Sequence, residues 1–133
     1  MSDNLDISYL IKNMNPILTE GEYVFAETEM DDSLISALAP LSHFRFNGKS
    51  LLIVSKEAAE KNDVKYKSVF NLITVSVTSS PEEYEFLAVI SGVFADQGIK
   101  VNFVSGISNH YLFVPVNKTK DAMQLLHELV TDF

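Results

Sequence analysis

The stretch VFNLITVSVTSSPEE, Val69 to Glu83, decides how the second half of the chain is read. Ile73, Val75 and Val77 alternate with Thr74 and Ser76, the period-two pattern of a strand covered on one face. The alternation stops at a cluster that starts helices. Ser79 or Ser80 can accept a hydrogen bond from a free helical N–H, Pro81 fits the first turn, and Glu82 and Glu83 favour the positive end of the helix dipole. A helix follows, with Leu87, Ile90 and Phe94 on one face, and Gly98 can take the left-handed conformation that ends it.

Beyond that helix, IKVNFVSGI and HYLFVPV flank the pair Ser108–Asn109 and read as an antiparallel hairpin. NKTKDAMQLLHELV then places Ala122, Leu125, Leu126, Leu129 and Val130 on one helical stripe, with Asn117 or Thr119 as candidate cap. The first half repeats the order. EYVFAETE is a strand, DSLISALAP a short helix stopped by Pro40, HFRF and SLLIVS flank the turn NGK, and KEAAEKN is a short helix. Ahead of them Leu5, Tyr9, Leu10 and Ile11 suggest a leading helix that ends near Pro16.

The chain thus reads as an α+β protein of two tandem strand-helix-strand-strand-helix units, residues 1–67 with the leading helix and residues 68–133, with mainly antiparallel sheets and helices on one face. The ferredoxin-like arrangement has this order plus a final strand. Each unit is one strand short, so the two are expected to share sheet or core contacts.

With 133 residues, 47% of them hydrophobic, the chain can bury an ordinary core. It has no cysteine, which removes disulfides and thiolate chemistry and suits a reducing, cytoplasmic setting. No run approaches the roughly 18 apolar residues that a spanning helix needs, so no membrane is expected. The net charge of −8 repels nucleic acid. The densest lysine cluster, KNDVKYKS, also carries an aspartate and has ordinary loop composition.

The segment LITVSVTSSPEEYEFLAVISGVFADQGIKVNFVSGISNHYLFVPV resembles an ACT domain, and in particular the second unit of small bacterial stand-alone tandem ACT proteins. LIKNMNPILTEGEYVFAET is similar to the segment leading into the first unit, so the resemblance runs from about Leu10 to Leu129. It implies a regulatory or sensor module that binds an amino acid or another small ligand, often at an interface between units, and no catalysis. The junction of first strand and first helix is the family's usual ligand edge. Here that edge corresponds to Ser79, Ser80 and Pro81, facing the following strand near Asn102. Where the family commonly has a His-Asp-His triplet, this chain has Asn109, His110 and Tyr111.

Other patterns give way to structural readings. NGKS matches the end of a phosphate-binding loop, but the glycine required five positions before Gly48 is His43, and a strand follows where a helix is needed. His43, His110 and His127 lack metal spacing, and Glu27, Glu29, Asp31 and Asp32 lack the glycine and final glutamate of a calcium loop. No Gly-x-Ser-x-Gly elbow exists, and Glu82–Glu83 is accounted for by its helix start. No enzyme, metal or cofactor is therefore expected.

Asn109 and His110 are candidate ligand contacts at a hairpin rim. YLFVPV is apolar throughout, which implies cover on both faces. Leu112, Val114 and Val116 would face the helices. Phe103, Tyr111 and Phe113 would face the other way, as an interface with the first half or with a second copy in a homodimer. Two function classes remain: a module that binds a small ligand, and a structural or interaction module without one.

Overall fold

The computed structural model describes residues 7–76 and 83–132. Helix α1 (Ile7–Lys12) precedes β1 (Ile17–Thr28), α2 (Asp32–Ala37), β2 (Ser42–Phe46), β3 (Lys49–Ser55) and α3 (Lys56–Lys61). Then come β4 (Val69–Ser76), α4 (Glu83–Asp96), β5 (Asn102–Ser105), β6 (Asn109–Pro115) and α5 (Thr119–Asp132). The fold is α+β, and the chain forms two compact units: residues 21–70, and the chain on either side of them. The chain crosses between units inside β1, after Glu20, and returns inside β4, after Phe70.

In the smaller unit the strands lie in the order β2-β3-β1, both pairings antiparallel. Asn47 and Gly48 join β2 to β3 with φ of 52° and 78°. That left-handed pair matches the twist of the flanking strands, which is why NG makes a two-residue hairpin. Asp31 caps α2 by accepting from the N–H of Leu34, and Ser55 caps α3 by accepting from the N–H of Ala58. Alternation along the strands sends Val24, Ala26, Leu52 and Val54 to one face, where they pack with Ile35 and Leu38 of the α2 region, Ala59 of α3 and Val64.

The larger unit orders its strands β4-β6-β5. Its core joins Ile73 and Val75 of β4, Leu112 and Val114 of β6, Phe86, Ile90 and Phe94 of α4, and Ala122 and Leu126 of α5. Leu10, Ile11 and Met14 complete it, so the helix that precedes the first half in sequence packs against α4 and α5. Burying each of the Val, Leu, Ile, Phe and Met side chains contributes about 1.5–3 kcal/mol. At the end of α4, Ile99 N–H bonds to the Phe94 carbonyl and Gly98 N–H to that of Ala95, with Gly98 at φ 70°. This double bond pattern closes the helix as its glycine predicts.

Four details differ from the sequence reading. The hairpin tip is Ile107–Ser108, closed by Gly106 N–H donating to the Asn109 carbonyl at 2.8 Å, so Asn109 is the first residue of β6. Val116 is 39% exposed and does not face the helices. Pro115 has no N–H to continue the ladder, and the chain turns there into a short 3-10 segment, Val116–Lys118. Phe103 stands opposite Leu112 in the register, so it shares that residue's face and packs against the helix-covered core rather than away from it. Neither Asn117 nor Thr119 supplies the expected cap: Thr119 opens α5, and its hydroxyl donates to Asn71 Oδ1 at 2.6 Å and to the Pro115 carbonyl at 3.3 Å.

Candidate ligand site

Strand alternation sorts the candidate residues of the β5–β6 hairpin. Asn109, Tyr111 and Phe113 fall on one face, His110, Leu112 and Val114 on the other. Asn102 pairs with Phe113 and so shares the face of Asn109, yet it sits four residues along the ladder, about 13 Å away at 3.3 Å per residue. The structure therefore does not bring Asn102 and Asn109 together.

Asn109 does reach another candidate element. Ser76 Oγ donates to its Oδ1 at 3.3 Å, and Ser76 is the last residue of β4. Ser79, Ser80 and Pro81 lie outside the described residues. His110 is not a rim contact: it is fully buried, its ring stacked on Phe86 with centroids 5.8 Å apart and planes 20° apart. It faces inward by the same alternation as Leu112 and Val114. Of the candidate interface residues, Phe113 is buried, Tyr111 is half-buried on the same face, and Phe103 points inward as described.

The smaller unit offers a second strand-to-helix junction, which the sequence reading weighed only as an acidic run. Thr28 Oγ1 accepts from Met30 N–H at 3.1 Å, and Asp31 Oδ1 accepts from Leu34 N–H and from the Ser33 hydroxyl. The Leu34 N–H first, then the Ser33 hydroxyl, hold the Asp31 carboxyl below the ordinary aspartate range. Asp32 ion-pairs with Arg45 of β2. The shallow groove behind them, about 590 Å3, is lined by Ile35, Ser36, Ala39, Pro40 and His43 with that ion pair. His43 Nε2 is fixed 2.7 Å from the buried Ser50 Oγ. The pairing of His43 with Ser50 needs the β2–β3 register, so no local sequence pattern announces it.

A third hollow, at the start of α3, collects Glu22, Tyr23, Lys56, Glu57 and Glu60. Lys56 pairs with Glu22 at 3.6 Å, and the Tyr66 hydroxyl donates to Glu60 at 2.7 Å. Among the described residues no three His, Asp or Glu side chains converge as metal ligands, and no helix is long and apolar enough to cross a membrane.

Comparison with known proteins gives the geometry a family. A search among curated proteins finds no match. Among solved structures, a protein of unknown function from Vibrio cholerae, described as a possible transport protein, is 28% identical, with a TM-score of 0.84 over 93% of this chain and 95% of its own. A protein from Agobacterium tumefaciens is 16% identical, with a TM-score of 0.71 over 86% and 87%. The ligand-free regulatory subunit of aspartate kinase from Thermus thermophilus shares the fold at 10% identity, with a TM-score of 0.64 over 88% and 97%. The family model of the ACT domain matches residues 4–71. The chain belongs to the ACT domain family.

Proposed function

We propose that the chain is a cytoplasmic regulatory or sensor module whose two strand-helix-strand-strand-helix stretches are tandem ACT units, and that it binds an amino acid at an interface formed by such units. The match to the ACT domain carries this reading. The fold shared with the regulatory subunit of aspartate kinase supports it. The proposed site is the edge where β4 ends, built from Ser79, Ser80 and Pro81 with Asn109, which hydrogen-bonds Ser76 at that end. Backbone N–H groups at the start of a helix of α4's length would hold a ligand carboxylate. Asn102 stands apart from this group. The module acts by binding: a ligand that prefers one arrangement of the units shifts the population toward it.

A thermal-shift screen of the proteinogenic amino acids at millimolar concentration tests the proposal. A ligand present at about 100 times its Kd adds about 2.7 kcal/mol of stability. Replacing Ser79 and Ser80 by Ala should abolish that shift. No shift with any amino acid would overturn the reading and leave the second one, an interaction module without a ligand, which the exposed aromatic residues Phe44 and Phe46 favour.

A further inference from the structure

The sheet of the smaller unit has one face beneath α2 and α3, and the register defines what lies on the other. Phe44 stands opposite Leu51, Leu51 opposite Glu27, and Phe46 opposite Lys49. Residues directly opposite share a face, as do residues two apart on one strand, so all five side chains project together. None of the smaller unit's helix-facing core residues is among them. Phe44 is 63% exposed, Phe46 66% and Leu51 39%. Two phenylalanines and a leucine on neighbouring rungs, at a strand paired on one side only, form a contiguous apolar patch, and such patches mark contact surfaces.

The charges around this patch identify its occupant. Glu27 and Lys49 are both exposed, and neither takes part in an ion pair among the described residues. They sit one rung and one strand apart beside the apolar centre. A two-fold axis lying between two such faces can set Lys49 of each copy against Glu27 of the other, with Phe44 and Leu51 near the axis. A patch with one cation and one anion placed this way is complementary to itself, which is the requirement of an isologous interface. A chain of net charge −8 also repels its own copies, and association is easiest where acids are scarce. On this face β2 and β3 carry Phe44, Phe46, Leu51 and Lys49 and no acid.

We propose that the face carrying Phe44, Phe46 and Leu51 is the surface on which two copies of this chain meet, with Lys49 and Glu27 pairing across it. This surface is separate from the hairpin residues considered above and does not depend on ligand binding.

Sedimentation equilibrium over a wide concentration range tests the proposal. The wild-type chain should dimerise, and joint Phe44→Ser and Phe46→Ser substitution should weaken the dimer by roughly 30-fold or more. Lys49→Glu and Glu27→Lys should each weaken it, and the two together should restore it, which checks the pairing even if the phenylalanine variant fails to fold. A monomer at every concentration overturns the proposal. So does a dimer indifferent to these substitutions, or one that the charge swap fails to restore.

Discussion

The imidazole of His110 lies over the ring of Phe86, centroids 5.8 Å apart and planes 20° apart, and joins β6 to α4 inside the larger unit's core. Phe86→Ala should lower stability by about 3–5 kcal/mol in urea unfolding, because a fully buried ring leaves a cavity. A double-mutant cycle with His110→Ala should return a coupling of about 0.5–1.5 kcal/mol, the range of stacked ring pairs. A coupling near zero would show that the two rings contribute separately.

Asp31 gives the smaller unit a pH-dependent helix cap. Its carboxyl titrates below the ordinary aspartate range because the charged form accepts from Leu34 N–H and the Ser33 hydroxyl. The unfolded chain holds the proton more tightly, so the cap's contribution is fully present above the ordinary aspartate value and is lost as pH falls through the lower folded value. A carboxyl-carbon NMR titration should place the Asp31 midpoint below that of an unstructured aspartate. Asp31→Asn should flatten the acid limb of the stability profile.

Two left-handed positions should respond to substitution with opposite sign. Gly48 has φ of 78° in the β2–β3 turn, and Gly48→Ala should cost about 1–2 kcal/mol because an L side chain is strained there. Ala39 already bears that strain at φ 49°, and Ala39→Gly should relieve it, for a net gain of up to about 1 kcal/mol after the added flexibility of the unfolded chain. Chemical denaturation of both variants checks the pair. A loss of stability in Ala39→Gly would mean that contacts of its methyl outweigh the backbone term.

Thr119 Oγ1 donates to Asn71 Oδ1 at 2.6 Å and ties the start of α5 to β4. Thr119→Val keeps the shape and removes the donor, leaving the half-buried Asn71 with one partner fewer. About 1–3 kcal/mol should be lost. Serine at the same position retains the hydroxyl and should recover most of this.

The elements that could be read from the sequence were those whose signals are local. Asn47–Gly48, the stop at Gly98 and the stripe Ala122–Leu126 each depend on residues within one or two turns of chain, and each forms as its chemistry predicts. What needed long-range pairing was harder to see. Leu10 and Ile11 look the same in sequence whichever core they join, so their packing against α4 and α5 could not be read from them. The inward place of His110 was hidden because an imidazole interrupts the apolar alternation that marks a buried face. The side that Phe103 takes follows from the Phe103–Leu112 register, which the loop length fixes and no local pattern announces. At the candidate site, the composition of Ser79–Pro81 was legible, and the contact of Asn109 with Ser76 was not.

The ends of three helices illustrate how unevenly the chain resists opening. α2, α3 and α4 are each followed by a left-handed residue, and only after α4 is it glycine; Ala39 and Asp63 serve the other two. α2 and α3 are also six residues long, against fourteen in α4. A short helix ending in a strained residue has few backbone bonds to break and some strain to release when it unravels. In amide hydrogen exchange, Ala39 and Val64 should therefore exchange through local opening, while Ile99 stays protected until the larger unit unfolds.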